Sequence, residues 1–188
     1  MSKLGELKEI LKKLIAIPSV TGNEHDIAIY IADYLRQCGV DSVELQPVEG
    51  NRLNVVAHLK GEKVGPVVLL TGHMDTVAPG EGWRTDPFKA TERDGRIYGR
   101  GAADMKGGIA AILVAIRNAA AQREQMRGEA IIAFVCDEEA YSKGVDALIR
   151  SGIRADYGIA AEPEWDAVIG AVGKMLIKVR VYGIAAHG

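Results

Sequence analysis

Four segments of the sequence each deliver a histidine or a carboxylate directly after an apolar run or within a glycine-rich turn. The segments read "VVLLTGHMDT", "GRGAADMKGG", "AIIAFVCDEE" and "YGIAAEP". If the apolar runs are parallel strands, their carboxyl ends meet at one edge of a sheet, where ligands bind in open α/β proteins. The residues that this edge would collect are His73, Asp75, Asp104, Glu138, Glu139 and Glu162.

A mixed set of imidazole and carboxylate ligands suits zinc or a similar divalent ion such as cobalt or manganese. Carboxylates that are packed together repel and raise one another's pKa unless a cation holds them. Asp75 need not be a ligand, since it can accept a hydrogen bond from the second ring nitrogen of His73 and fix its tautomer. The adjacent pair Glu138 and Glu139 suggests that one binds metal and the other is a general base.

Each segment has a simpler interpretation when it is taken alone. A His-x-Asp sequence after a strand is usually a loop-end hydrogen bond, and Asp104 before two glycines suits a helix N-cap. The acidic triplet suits the first turn of a helix, and Glu162 before a proline suits a surface turn. The combination of four segments favours a metal site over these alternatives. The histidines His25 and His58 lie in a helix start and a strand, and we assign them no role.

The composition is that of an ordinary globular protein. The chain has 188 residues, 48% hydrophobic and 26% charged, which is enough for one domain with a sizeable core. The formal net charge of -2 gives no reason to expect a nucleic-acid or acidic-membrane partner. The N-terminus lacks the apolar core of a signal peptide, and no apolar run approaches the roughly 18–20 residues of a membrane span. The two cysteines are too few for a disulfide scaffold, so we expect a cytoplasmic protein.

Hydrophobic periodicity predicts alternating helices and strands. Two amphipathic helices come first, ending at Pro18 and Gly39. Further helices are predicted at residues 106–122 and 145–150. Strands are predicted at residues 43–45, 54–59, 67–71, 97–98, 130–136, 157–160, 168–171 and 174–182. This alternation predicts an α/β fold with a mostly parallel central sheet.

The motifs together resemble the zinc-dependent co-catalytic metallohydrolase family. That family includes acetylornithine deacetylase, succinyl-diaminopimelate desuccinylase, aminoacylase and glutamate carboxypeptidase. The resemblance rests on "GHMDTV", "GRGAADMKGG", "DEE" and "AEP", in this order, and on "WRTDPF" in the long loop before residue 95. It covers nearly the whole chain and implies a three-layer sandwich. The glycine-rich segment matches neither a P-loop nor a dinucleotide fingerprint, which disfavours a nucleotide-binding domain.

The resemblance implies a role for each candidate residue. His73 and Glu162 would bind one zinc ion and Glu139 a second. Asp104 would bridge the two ions, with a cis peptide bond to Met105. In addition, Glu138 would be the general base toward a metal-activated water, and Asp75 would orient His73.

The resemblance also implies a division of the chain and a substrate class. Residues 1–172 would be the N-terminal part of the catalytic domain, and residues 173–188 the truncated start of a lid domain that forms homodimers. His187 would match a lid histidine that reaches substrate. We expect hydrolysis of an N-acyl amino acid of the deacetylase or desuccinylase type, with weak or absent activity in the chain alone. The alternatives are a di- or tripeptidase or carboxypeptidase on the same scaffold, and a non-catalytic metal-binding fragment.

Overall fold

The computed structural model describes residues 2–163. Four α-helices and seven strands make up most of this part of the chain. They are α1 (Lys3–Ala16), α2 (His25–Gln37), β1 (Ser42–Glu49), β2 (Arg52–Lys60), β3 (Lys63–His73), β4 (Thr91–Arg93), β5 (Arg96–Tyr98), α3 (Gly107–Ala120), β6 (Arg127–Val135), α4 (Lys143–Arg150) and β7 (Tyr157–Ala160).

Five of the strands form one mixed sheet. Its order is β1-β2-β6-β3-β7. β3 lies between β6 and β7 and is parallel to both, whereas β2 is antiparallel to β1 and to β6. The α/β prediction is confirmed, and the parallel pairing is concentrated in the three strands that precede the candidate acidic residues.

The sheet lies between two helical layers. Alternate residues of the buried strands point to opposite faces, so Ile132 and Phe134 of β6 join the core formed with α1, α2 and α3. Ile131 and Val135 pack on the opposite face in a smaller cluster that includes Leu148 of α4. The described residues thus form the three layers that the resemblance implies.

The predicted elements are all present within the described residues, with shifts at their ends. The strand predicted at residues 157–160 is β7. The long loop before residue 95 contains a strand that the sequence did not predict, β4, which pairs with β5. In the same loop, Trp83 Nε1 and Arg100 Nη2 both donate to the carbonyl of Pro79, at 2.7 and 3.0 Å. The strands predicted at residues 168–171 and 174–182, and the predicted domain boundary after residue 172, lie outside the described residues. Within residues 2–163, no helix has the length and apolarity needed to cross a membrane.

We expect Gly108→Ala to destabilise the chain by about 1–3 kcal/mol, because the added methyl group overpacks a backbone contact. A Cβ at Gly108, in the first turn of α3, would lie 2.1 Å from the carbonyl oxygen of Ala161. Helix propensity alone predicts the opposite sign, a stabilisation of about 1 kcal/mol. Urea unfolding measures the difference, and Gly158→Ala is the control, since nothing lies within 4 Å of its Cβ position. A Gly108→Ala chain as stable as the wild type would contradict this close approach.

Candidate metal centre

The candidate site lies where three neighbouring strands end. His73 is the last residue of β3 and pairs with Val135, the last residue of β6. On the other side of β3, Thr71 pairs with Ala160, the last residue of β7. The chain therefore leaves all three strands at one edge of the sheet. The acidic residues that follow are Asp75 after β3, Asp137, Glu138 and Glu139 after β6, and Glu162 after β7.

The imidazole of His73 is surrounded by carboxylates. Its Nε2 lies 2.9 Å from Asp104 Oδ1, 3.8 Å from Glu162 Oε2 and 4.0 Å from Glu138 Oε2. The side chain is only 1% exposed, so the ring is fixed by packing. Burial would lower the pKa of His73, but the neighbouring carboxylates, with Asp75 the strongest, raise it to about 10. This edge of the sheet therefore attracts positive charge.

Three of these side chains could hold one metal ion. His73, Asp104 and Glu139 each offer a ligand atom, and the three atoms lie within 4.8 Å of one another. Zinc bonds to nitrogen and oxygen are about 2.0–2.2 Å long, so two ligands of one ion lie at most about 4.4 Å apart, and small side-chain movements would close this group around an ion. Burial and the charge of Asp104 raise the pKa of Glu139, as expected for carboxylates that share a site without a cation. The donor set fits a first-row divalent ion.

Asp75 organises the backbone of the acidic turn. Its buried carboxylate accepts hydrogen bonds from the N–H of Glu138 at 3.0 Å and of Glu139 at 3.1 Å. The hydroxyl of Thr21 donates a third, at 2.9 Å. Burial would raise the pKa of Asp75, but His73 and these donors lower it, so the group is a carboxylate at neutral pH.

The contact between Asp75 and His73 differs in detail from the one expected. The Nδ1 of His73 lies 2.8 Å from the backbone oxygen of Asp75 and 3.6 Å from its carboxylate. A carbonyl oxygen can only accept, so Nδ1 carries a hydrogen. The charged ring also donates from Nε2 to Asp104, whereas a neutral ring would present Nε2 as a lone pair. The orienting role of Asp75 stays a prediction, with its main-chain oxygen as the nearer atom.

Asp104 lies in an irregular turn, Ala102–Lys106, that leads into α3. The peptide bond between Asp104 and Met105 is cis, as the resemblance implies. Met105 is buried against β3, where a Cβ on Gly72 would lie 2.3 Å from Met105 Cε. Glycine at position 72 thus lets the turn approach the end of β3 and brings Asp104 to His73.

The buried ammonium of Lys106 ties this turn to α1. Its Nζ donates to the carbonyls of Leu14 at 2.9 Å and Ile17 at 2.8 Å. Cations are favoured at helix C-termini, where carbonyls lack partners within the helix. Burial lowers the pKa of Lys106 to about 8.

All the site residues predicted within residues 2–163 lie around His73. The candidate metal group joins His73 to Asp104 and Glu139, and Glu138 and Glu162 lie within 4.0 Å of the imidazole. The assignment of these residues to two metal positions and to catalytic roles stays a prediction. His187 lies outside the described residues.

Two residues that support the site have no local signal in the sequence. They are Thr21, which donates to Asp75, and Arg52, which contacts Asp137, and neither follows a strand or belongs to a quoted motif. Arg52 begins β2, and the start of an antiparallel strand lies at the edge where its partner β6 ends. If the pairing of β2 with β6 were predictable from the sequence, it would place Arg52 beside the acidic turn.

Comparison with known proteins gives a consistent family. Residues 69–181 match the peptidase family M20/M25/M40. A curated relative, succinyl-diaminopimelate desuccinylase of Bordetella avium, is 38% identical over 173 residues, which cover 88% of this chain and 45% of the relative. The chain spans about half the length of the curated relatives it matches.

Solved structures agree with this result. An M20 family metallo-carboxypeptidase of Sulfolobus solfataricus is 25% identical, with a TM-score of 0.74, over 83% of this chain and 37% of that one. A tripeptidase of Staphylococcus aureus is 27% identical, with a TM-score of 0.70, over 85% of this chain and 43% of that one. From the sequence match and the shared fold together, the chain belongs to the peptidase family M20/M25/M40.

Proposed function

We propose that the protein containing this chain is a metal-dependent amidohydrolase that cleaves an N-acyl amino acid into a carboxylate and an amine. The observation that carries the proposal is the meeting of His73, Asp104 and Glu139 at one sheet edge, with Glu138 beside them. The first three side chains would hold a divalent ion. A purely structural metal site has no use for an additional, partly exposed carboxylate at this distance, so Glu138 favours catalysis over simple metal binding.

Glu138 would be the general base. It takes a proton from the attacking water as a C–O bond forms at the amide carbonyl carbon, and gives it to the leaving nitrogen as the C–N bond breaks. A divalent ion, when bound, supplies polarisation of the carbonyl and a lowered pKa of water. The Glu138 side chain is 38% exposed, so substrate and water can reach it. Asp75 accepts from the backbone N–H of Glu138 and thereby restricts where the Glu138 carboxylate can lie.

The relatives support the substrate class. The curated relative from Bordetella avium is named for removing a succinyl group from diaminopimelate. The tripeptidase and the metallo-carboxypeptidase support the competing proposal of a peptidase on the same scaffold. Both reactions cleave an amide beside a carboxylate-bearing residue, so the chemistry at His73 and Glu138 would be shared.

Further features of the proposal follow from the family resemblance. We propose zinc as the metal, with two ions per full-length subunit and Glu162 as a ligand beside His73. We also propose a cytoplasmic homodimer that acts on small molecules, in which residues 173–188 begin the lid and His187 contacts substrate. The two cysteines, too few for a disulfide scaffold, support the cytoplasmic location.

Zinc binding by the 188-residue chain should depend on His73. We expect calorimetric titration of the metal-stripped chain to detect a bound ion, and His73→Ala to weaken it by more than the roughly 100-fold typical of indirect contacts. His58→Ala is the matched control, because His58 also lies beside a carboxylate, 2.5 Å from Glu129, but near the start of β6 and not at the end where the site lies. Equal zinc binding by the two variants would contradict the proposed site.

Substitutions of the two adjacent glutamates, Glu138 and Glu139, should have different effects. In the complete gene product, we expect Glu138→Gln to lower kcat by about 10²–10⁴-fold with its metal content unchanged, since only proton transfer is lost. Glu139→Gln should lower the metal content itself, because an amide is a weaker ligand than a carboxylate. Steady-state kinetics combined with metal analysis separates the two. Full turnover in the Glu138→Gln protein would show that the general base lies elsewhere.

A substrate panel distinguishes deacylase from peptidase. We expect the complete gene product to hydrolyse N-succinyl-diaminopimelate or N-acetylornithine with a kcat/KM at least about tenfold above that for a tripeptide, a difference of about 1.4 kcal/mol in transition-state binding. Release of primary amine measures all three reactions. The reverse order would favour the peptidase.

A further inference from the structure

The turn that carries Glu138 and Glu139 begins at a buried residue outside the candidate metal group. Asp137 has a φ of +69°, in the left-handed region that aspartate tolerates better than most residues. Its Oδ1 accepts from Arg52 Nη2 at 2.7 Å, and its Oδ2 accepts from the backbone N–H of Lys143 at 3.1 Å. Both carboxylate oxygens are therefore used to fix where the turn begins.

Arg52 joins this carboxylate to a second one. Its Nε lies 2.9 Å from Glu24 Oε2, and its Nη2, which also contacts Asp137, lies 2.5 Å from Glu24 Oε1. The side chains of Glu24 and Asp137 are 0% and 2% exposed. Burial would lower the pKa of Arg52, but the two carboxylates raise it above its ordinary value, so the guanidinium stays charged.

Strand register explains why Arg52 lies here. Val55 of β2 pairs with Phe134 of β6 in an antiparallel ladder. Continuing that register toward the start of β2 brings Arg52 opposite Asp137. The same turn is held from the other side by Asp75, which accepts from the two N–H groups that follow Asp137. Three consecutive residues of the turn are thus anchored to buried side chains.

We infer that Arg52 is a positioning residue for the candidate site, acting through Asp137 to hold Glu138 and Glu139 at the end of β6. The functional consequence rests on the proposed metal site, while the positioning itself does not. A guanidinium suits the role because its planar fork fixes two carboxylates in one orientation. A lysine would supply the charge without that geometry.

The network supplies its own matched control. Glu24 and Asp137 are both buried and contact the same Arg52 nitrogen, but only Asp137 belongs to the acidic turn. Glu24→Gln removes one charge and leaves Arg52 with Asp137 as its carboxylate. A general loss of stability would follow from changes at either residue, whereas a loss of positioning would follow from changes at Asp137 or Arg52 alone.

Amide hydrogen exchange by NMR on the full 188-residue chain tests the positioning without metal. We expect Asp137→Ala and Arg52→Lys to speed exchange of the Glu138 and Glu139 amides by about tenfold or more, with that of Ile132 in β6 unchanged. Asp137→Asn tolerates the left-handed backbone and keeps one of the two oxygen acceptors, so it should restore protection in part. Glu24→Gln should leave both amides protected.

Zinc titration of the same variants then tests the consequence. We expect Asp137→Ala to weaken zinc binding by about 10- to 100-fold, the effect typical of residues that orient ligands, and Glu24→Gln to change it by less than about threefold. Unchanged exchange of the Glu138 and Glu139 amides in the Asp137→Ala chain would overturn the inference. So would an equal acceleration in the Glu24→Gln chain, which would mark the network as structural only. A wild-type chain that binds no zinc would overturn the proposed function instead, and the exchange result would still decide the positioning.

Discussion

The register of three parallel strands is the constraint on which the candidate site depends. β3 lies between β6 and β7, and the pairing of His73 with Val135 fixes how far each strand extends. Since side chains alternate between the faces of a sheet, a slip of one residue would turn His73 toward the opposite layer. The apolar core on both faces resists that slip. Packing of the helices against the sheet therefore determines where Nε2 of His73 points.

The carboxylates at this edge of the sheet fall into two groups. Glu24 and Asp137 are buried, and a guanidinium from the chain itself lies between them. Asp104 and Glu138 are 52% and 38% exposed and gather around a buried imidazole. Buried carboxylates require a permanent partner because desolvation is costly, whereas exposed ones can await a cation from solution. The buried carboxylates thus bind a cation of the chain itself, and the exposed ones form the candidate site for an external ion.

The sequence predicted the site more completely than it predicted the sheet. His73, Asp104, Glu139 and their neighbours were predicted because each follows an apolar run or lies in a motif, a local signal. The antiparallel pairing of β2 with β6 involves residues far apart in sequence, so local periodicity cannot report it. The position of Arg52 beside the acidic turn could not be predicted for that reason. Of the β4–β5 hairpin only β5 was predicted, because β4 is three residues long and has no hydrophobic residue.

Asp75 lies at the candidate site, but its contacts differ from those that the sequence suggested. A carboxylate two positions after His73 suggested a residue that accepts from the second ring nitrogen and orients the ring. The main-chain oxygen of Asp75 is the nearer partner of the ring, at 2.8 Å. Any residue at position 75 offers that oxygen, so ring orientation alone does not require an aspartate. The carboxylate is required by the acidic turn, because two oxygens meet two N–H groups and hold Glu138 and Glu139 against the strand that carries His73.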